Sequence, residues 1–225
     1  MSDGRQNVLA SIDRQLRLGG LPPGAQLEHP GPMSRPAARD LIARFEAEAS
    51  ALGVTVHRVS GESAAIDAVL EVLRSRNATR VLAWDGQWLN CAGLGDGIAA
   101  RGIVLESCWL PSEPEARRAR LAELDPVSVG LTGAVAGLAE TGSLVMISGP
   151  GRGRMASLLP PVHIAMLRAD QIVPSHMEFI ASHPDAVEQG SNLLFITGPS
   201  RTGDIEMTLS RGVHGPGVVH VVVIE

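Results

Sequence analysis

The stretch from Asn192 to Pro216, NLLFITGPSRTGDIEMTLSRGVHGP, joins an apolar run to a polar, glycine-rich segment, and a second apolar run, Val218–Ile224, follows it. The first run, Asn192–Thr197, is short and ends at Gly198-Pro199, which predicts a buried strand closed by a turn. In α/β sheets, ligands bind in the loops beyond the carboxyl ends of strands. The polar segment is therefore the first candidate for a binding site.

Arg201 is the centre of this candidate site, because its planar guanidinium offers paired donors that suit a carboxylate or a phosphate. Glycines beside it let the backbone approach a ligand or adopt a positive φ. The residues that would shape the loop are Gly198, Ser200, Thr202, Asp204 and Glu206. An alternative interpretation is a turn followed by the start of a helix, in which Arg201 pairs with Asp204.

The amino-acid composition excludes several kinds of chemistry. The chain has 225 residues, enough for one mixed α/β domain, and a mean hydropathy of +0.13 favours a compact fold over disorder. A net charge of −5 gives no electrostatic basis for binding nucleic acid. All 19 basic residues are arginine and tyrosine is absent, which excludes Schiff-base lysines, a P-loop lysine and phenolic acid–base catalysis.

The two cysteines, Cys91 and Cys108, are too few for an iron–sulfur cluster, which takes about four thiolates. Their scarcity is typical of a reducing compartment. No signal-like segment opens the sequence, and no apolar run nears the ~20 residues that span a bilayer. These features predict a cytoplasmic protein.

Strand and helix patterns alternate through the first half of the chain. Predicted strands at Val54–Val59, Arg80–Trp84 and Ile103–Glu106 are separated by segments with helical periodicity. Such alternation is typical of right-handed βαβ units. We therefore predict an α/β fold with an open, mostly parallel sheet flanked by helices. The strand-rich second half, from Asp125 onward, is interpreted as an extension of the same sheet.

The first 36 residues have a different pattern from the remainder. Val8, Ile12 and Leu16 are spaced as on one face of a helix, whereas residues 21–36 are rich in proline and glycine and lack periodicity. We predict an N-terminal helix and arm at residues 1–36, followed by one α/β domain at residues 37–225.

A tight turn, Glu140-Thr141-Gly142, joins two predicted strands, Val135–Ala139 and Ser143–Ile147. A carboxylate held at that turn could act as a general base or hold a substrate hydroxyl. His214 follows the Arg201 segment and could move a proton near neutral pH. The alternatives are a glutamate that accepts hydrogen bonds from its own turn and a loop histidine bonded to the backbone.

The segment Gly149–Arg154, GPGRGR, is a candidate anion nest, in which successive backbone N–H groups point inward and Arg152 or Arg154 adds positive charge. It follows a predicted strand, as the 198–206 loop does. We therefore expect the two loops at the same sheet edge.

Metal, nucleophilic and dinucleotide chemistry find little support in the sequence. His176, Glu178 and His183 match no compact zinc spacing, so we predict no metal and no cofactor in this chain. There is no G-x-S-x-G elbow and no G-x-G-x-x-G fingerprint. His163 lies in the apolar run PPVHIAML, which predicts a core histidine.

Four segments occur in order in the second half: AETGSL at Ala139–Leu144, RMASLLPPVHIAM at Arg154–Met166, GPSRTGDIE at Gly198–Glu206, and GVHGP at 212–216 with the apolar strand after it. Over residues 129–225 this series resembles the LUD domain family of lactate utilization proteins, in particular its LutC-type (YkgG-like) members. One departure is Gly203, which stands where the family's PSRTADIE pattern has alanine.

The resemblance implies a fold similar to the NagB/RpiA/CoA transferase-like superfamily, with ligands at the strand ends. It also implies a part in oxidising L-lactate to pyruvate together with iron–sulfur proteins, among which this chain would be the cluster-free subunit. The expected partners are those iron–sulfur proteins and a small carboxylate or phosphorylated ligand, and a homo-oligomer stays open.

As a site hypothesis, Arg201 clamps the anion, Arg154 closes its far side, and Glu140 and His214 handle protons or hydroxyls. Thr141 and Gly142 complete the site in the turn. Two other functions stay open at this point. One is a stand-alone isomerase or cyclo-ligase-like enzyme on a small phosphorylated or acyl substrate, and the other is a non-catalytic adaptor for the iron–sulfur subunits.

Overall fold

A computed structural model of the chain describes residues 11, 14, 38–203, 209–212 and 214–225. Residues from Pro36 onward form one compact unit. The predicted N-terminal helix and arm lie outside the described residues apart from positions 11 and 14. The boundary between arm and domain at residue 36 stays a prediction.

Six parallel strands form the main sheet, in the order β1-β12-β7-β4-β2-β3. The strands of this sheet are β1 (Thr55–Val59), β2 (Arg80–Ala83), β3 (Val104–Ser107), β4 (Val129–Gly133), β7 (Val162–Arg168) and β12 (Val218–Ile224). The prediction of an open, parallel α/β sheet is confirmed. The chain winds from β2 outward to β3 and returns to β4 on the other side of β2, so the strand order reverses there.

Helices precede or follow the strands of this sheet. They are α1 (Ala38–Ala51), α2 (Gly61–Ser75), α3 (Leu94–Ala99), α4 (Pro114–Leu124), α5 (Met155–Leu158) and α6 (His176–Ser182), with short 3-10 turns at Gly86–Trp88 and Ala169–Gln171. Gly53, at φ 87°, ends α1, because a left-handed glycine lets the N–H groups of residues 53 and 54 reach back to the carbonyls of Ser50 and Ala49. No helix in the described ranges is long and apolar enough to cross a membrane.

A second sheet of four strands has the order β8-β5-β6-β9. Its strands are β5 (Ala136–Leu138), β6 (Ser143–Ser148), β8 (Ile172–Val173) and β9 (Asn192–Ile196). A small hairpin pairs β10 (Arg201–Gly203) with β11 (Leu209–Arg211). The prediction that the second half extends the first sheet is therefore wrong for these strands, because β5, β6, β8 and β9 hydrogen-bond only to one another. The alternative of a helix start is wrong at Thr202 and Gly203, which belong to β10, while its pair between Arg201 and Asp204 lies outside the described residues.

Both faces of the parallel sheet are buried, and alternate residues of each strand enter different cores. In β7, Ile164 packs with α2 and α3, whereas Leu167 packs with α1 and the edge of the second sheet. In β12, Val222 and Val223 divide between the same two cores. Period-two alternation with apolar residues on both sides explains why these strands read as continuous hydrophobic runs.

His163 in β7 is fully buried, as the sequence predicts, and its Nε2 lies 2.8 Å from Oγ1 of Thr132 in β4. Burial lowers the pKa of His163 to about 4, so the ring is neutral near pH 7. Its Nδ1 is buried without a hydrogen-bond partner among the described residues, a cost that is smaller for a neutral ring than for a charged one.

A pair of histidines joins β1 to β12. Nε2 of His57 lies 3.1 Å from Nδ1 of His220, and the two rings stack with centroids 5.3 Å apart. Burial lowers the pKa of both side chains, that of His220 to about 4, with further contributions there from His57 and Arg76. Both imidazoles are therefore uncharged at neutral pH.

Gly130 in β4 lies directly against the backbone of α5. A Cβ at this position would overlap the carbonyl oxygen of Ala156. We expect Gly130→Ala to lower the free energy of unfolding by about 1–3 kcal/mol, because the backbone of α5 must move to accommodate the methyl group. Urea unfolding at neutral pH measures this change.

The matched control is Gly86→Ala, where a Cβ meets nothing within 4 Å and φ is not positive. It should leave stability unchanged or raise it slightly, because alanine restricts the unfolded chain. Equal stability of both variants would contradict the close packing of α5 on β4.

Candidate functional site

The hairpin between β5 and β6 places Glu140 at one end of the second sheet, and its partner is His176. Oε1 of Glu140 accepts a hydrogen bond from the backbone N–H of His176 at 2.8 Å and another from Nδ1 of the same residue at 2.7 Å. His176 is the first residue of α6, so the helix presents a free N–H group to the carboxylate. The two side chains are 33% and 40% exposed, so a ligand can reach them.

Electrostatics favour the ionised form of Glu140. Hydrogen bonds from the backbone and then the ring of His176 hold the pKa of the Glu140 carboxyl below its ordinary value, and Arg44 adds a smaller attraction. A carboxylate with a lowered pKa is a weaker base. This environment suits holding a hydroxyl or a cationic group better than removing a proton.

A chain of three hydroxyls connects the hairpin to the end of β9. Oγ1 of Thr141 lies 2.8 Å from Oγ of Ser143, which lies 2.8 Å from Oγ1 of Thr197. Ser143 is buried, so the chain runs below the surface. The pairing of Leu144 with Ile196 brings these residues together, because it aligns the start of β6 with the end of β9.

Two glycines let the β5–β6 hairpin and the loop after β9 approach α1. Gly142 has φ 65°, and a Cβ there would overlap the backbone of Ala49. Gly198 has φ 85°, and a Cβ there would lie 3.1 Å from Cβ of Leu52. Both turns therefore require glycine for conformation and for space.

Arg201 lies at the same end of the second sheet and is exposed. Its Nη2 donates to the carbonyl oxygen of Leu52, at the carboxyl end of α1, where the helix dipole favours a cation. The absence of a side chain on Gly53 leaves room for this contact, since a Cβ there would lie 3.2 Å from Nη2. A guanidinium has five N–H donors, so this bond leaves others for a ligand.

The loop before β12 folds back onto Ser200. The N–H of Ser200 donates to the carbonyl of Pro216 at 2.8 Å, and the N–H of Gly212 donates to the carbonyl of Ser200 at 3.0 Å. His214 is exposed, and its backbone N–H is 3.4 Å from Oγ of Ser200. The structure thus brings His214 into the same loop cluster as Arg201, while the proton-transfer role of its ring stays a prediction.

Asp204 and Glu206 lie outside the described residues. The backbone of Thr202 pairs with Ser210 in the small hairpin. Their proposed part in shaping the site remains a prediction.

Arg154 lies elsewhere. It follows the end of β6, and Ser148 there pairs with Asn192 at the start of β9, whereas the Arg201 loop follows the end of β9. The antiparallel pairing puts the two loops at opposite ends of the second sheet, so the expected shared edge is wrong. Nη1 of Arg154 lies 3.4 Å from Oδ1 of Asn192.

The GPGRGR segment is a closed turn. The N–H of Gly149 donates to the carbonyl of Arg152, and the N–H of Arg152 donates back to the carbonyl of Gly149. These two N–H groups are therefore satisfied within the turn and do not form the predicted anion nest.

No cluster of three or more His, Cys, Asp or Glu side chains suited to a metal occurs in the part of the chain that the structure describes. Burial raises the pKa of both cysteine thiols, that of Cys108 to about 11. Each thiol lies near backbone carbonyls. A raised pKa disfavours the thiolate, which is the form that attacks substrates and binds metals.

The sequence singles out Glu140 and the loop of Arg201 as candidates but does not indicate the partners that hold them. In the sequence, His176 belongs to a spacing that matches no zinc site, and Thr197 is the end of a strand. Ser143 has no signal beyond its place beside the turn. Their roles depend on the pairing of β6 with β9 and on the position of α6.

The parallel sheet flanked by helices defines an α/β protein. Residues 42–224 match the LUD domain, and the chain belongs to this family. It is 30% identical over 227 residues to lactate utilization protein C from Deinococcus radiodurans, covering 99% of this chain and 96% of that protein. It is 35% identical over 166 residues to lactate utilization protein C from Halalkalibacterium halodurans, covering 72% and 68% of the two chains.

The fold also matches a solved structure. A DUF162 family protein from Deinococcus radiodurans, determined by crystallography at 1.70 Å, superposes with a TM-score of 0.61 and 26% sequence identity. The match covers 86% of this chain and all of that one.

The contact between Glu140 and His176 predicts a pH-dependent contribution to stability. We expect Glu140→Gln to lower the free energy of unfolding by about 0.5–1 kcal/mol at pH 7, a small value because the pair is partly exposed. Because folding lowers the pKa of Glu140, its stabilisation is present above the carboxyl's ordinary pKa of 4.5 and disappears as the pH falls through the folded value. Urea unfolding of both proteins at pH 7 and pH 3 measures this.

Glu188→Gln is the control, because Glu188 is exposed and its side chain has no hydrogen bond among the described residues. It should change stability little at either pH. A Glu140→Gln effect of the same size at pH 7 and pH 3 would show that the charge of Glu140 is not stabilising.

Proposed function

We propose that this chain takes part in lactate utilization as the cluster-free subunit of a system that oxidises L-lactate to pyruvate. The name of the relatives that align over most of the chain supports the pathway. The presence of only two cysteines supports the cluster-free role, because a cluster takes about four thiolates. The electrons removed from lactate would then pass to iron–sulfur proteins that act with this chain.

We propose further that the chain binds a small anionic ligand at one end of the second sheet. The observation that carries this proposal is the convergence there of the Glu140 hairpin, Thr197 and the loop of Arg201 and His214. This end offers a guanidinium whose donors are only partly used by the described residues, an ionised carboxylate, and exposed hydroxyl and imidazole groups. Such a set suits an anion that also carries a hydroxyl.

In this proposal Arg201 binds the carboxylate of the ligand, and Ser200 and Thr141 would hydrogen-bond its other oxygens. Glu140, kept ionised by His176, would hold the ligand's hydroxyl, and His214 would take or return a proton. Oxidation of L-lactate to pyruvate releases two protons and two electrons. This chain would handle protons and orientation, while the partners accept electrons.

A reconstituted reaction tests the proposal. The chain is combined with the iron–sulfur proteins of a lactate utilization system, and L-lactate-dependent reduction of an artificial electron acceptor is followed. We expect activity only when all components are present. Turnover of lactate by the chain alone, or of a phosphorylated or acyl substrate, would support the stand-alone enzyme instead.

Arg201→Ala should raise the KM for L-lactate about tenfold or more in this reaction, because a charge-assisted contact contributes about 1.5–3 kcal/mol. Arg101→Ala is the matched control, since Arg101 lies just before β3, one outer strand of the parallel sheet, whereas Arg201 contacts Leu52 just before β1, the other outer strand. It should leave KM unchanged. Wild-type kinetics of Arg201→Ala would remove Arg201 from the ligand site and favour the adaptor function.

A further inference from the structure

A separate cavity of about 410 Å³ opens at the carboxyl ends of β2, β4 and β7, next to the point where the strand order reverses. Its volume lies within the ~300–1,000 Å³ typical of small-molecule sites. Open α/β sheets bind ligands at this place in the fold. The cavity is lined chiefly by Trp84, Trp88, Asn90, Val135, Arg152 and Gln171.

Arg152 is the unusual member of this lining, because it is 93% buried with 7% of its surface exposed. Nη2 donates to the carbonyl of Gln189 at 2.9 Å, and the guanidinium lies 4.0 Å from the ring centroid of Trp88. Within the described residues, no group accepts a hydrogen bond from Nε, and no carboxylate pairs with the guanidinium. Burial lowers the pKa of Arg152, yet an arginine remains charged at neutral pH.

A buried charge without a counter-ion is costly. Removing an ion from water costs several kcal/mol even after the protein relaxes, and one neutral hydrogen bond with one aromatic ring offsets only part of that. Buried arginines are therefore normally paired with an anion. The structure supplies the cation and an adjacent open cavity, and a bound anion would supply the missing charge.

The remaining lining selects the kind of anion. Ala134, Val135 and Val173 give the cavity an apolar wall that suits a short hydrocarbon chain. Asp170 also lines it, with its carboxylate 3.8 Å from Nε of Arg168, and a second negative charge there disfavours a dianion. The single guanidinium therefore matches a singly charged group.

Amides near Arg152 can fix the orientation of a ligand. Nδ2 of Asn90 is held by the carbonyls of Ala134 at 2.7 Å and Met166 at 3.2 Å and by Oε1 of Gln171 at 3.2 Å. Oε1 of Gln171 also accepts from the backbone N–H of Arg168. Both amides are thus rigid, and each keeps one group, the Oδ1 of Asn90 and the Nε2 of Gln171, without a protein partner in the described structure.

We propose that this cavity is a binding site for a small monocarboxylate, with Arg152 as the group that pairs with the carboxylate. Asn90 and Gln171 would contact a hydroxyl or carbonyl oxygen beside it. This site is distinct from the Arg201 loop. Arg152 follows the end of β6, beside the start of β9, whereas the Arg201 loop follows the end of β9. The inference therefore does not depend on the function proposed above.

A purely structural role for Arg152 is the competing explanation. In that case the guanidinium would serve only to join the Gln189 loop to Trp88. The two explanations differ in one measurable respect, because only a binding site responds to added carboxylate.

Intrinsic fluorescence reports on the cavity directly, since Trp84 and Trp88 line it and the third tryptophan, Trp109, is 69% exposed. The full chain carrying Trp109→Phe is titrated with sodium acetate, L-lactate, pyruvate and phosphate at constant ionic strength. We expect a saturable change with the carboxylates and weaker binding of phosphate at pH 8. No saturable change with any carboxylate, or tighter binding of phosphate, overturns the proposal.

Arg152→Met supplies the decisive comparison in the same background. We expect the dissociation constant for the carboxylate to rise about tenfold or more, because a charge-assisted contact is lost. The variant without ligand should be as stable as the parent or more so, since the buried charge is gone. Arg101→Met, the matched control, should bind as the parent does.

Further outcomes separate this inference from the proposed function. Arg152→Gln keeps a donor for the Gln189 carbonyl and carries the test if the methionine variant does not fold. Undiminished affinity in either neutral variant overturns the proposal. Affinity that is lost in Arg201→Ala but kept in Arg152→Met overturns it too, and leaves the function proposed for the Arg201 loop standing.

Discussion

The parallel pairing of β12 on both of its edges is the constraint on which the rest of the fold depends. Val218–Ile224 pairs with β7 along its whole length on one side and with β1 on the other. Its side chains alternate between the two cores, so the same strand joins α1 to one face of the sheet and α2 to the other. A shift by one residue would exchange these faces, which makes the register highly specific.

The antiparallel pairing of β6 with β9 separates two arginines that follow these strands, because it puts the ends of the two strands at opposite ends of the second sheet. Arg201 stands at the end of β9, where it satisfies the carboxyl end of α1, whereas Arg152 is buried beside the carboxyl ends of the parallel strands. The first is exposed and already has a neutral partner. The second lacks a counter-ion among the described residues and so has the stronger physical requirement for a ligand.

The sequence predicts the parallel sheet well, because the periods of strands and helices are visible in short windows of neighbouring residues. It does not reveal that β5, β6, β8 and β9 form their own sheet, since a strand's pattern does not identify its neighbours. Glu140 could be singled out from its turn, but its partner His176 is 36 residues away and depends on where α6 begins. The burial of Arg152 likewise arises from long-range packing against Trp88.

The stacked imidazoles of His57 and His220 make the pairing of β1 with β12 sensitive to acid. Because folding lowers the pKa of both rings, protonation opposes the native state, and stability is lost as the pH falls from the ordinary histidine value of 6.5 toward about 4. Two imidazolium ions 3.1 Å apart would repel each other. Mild acidification should therefore weaken the pairing of β1 with β12.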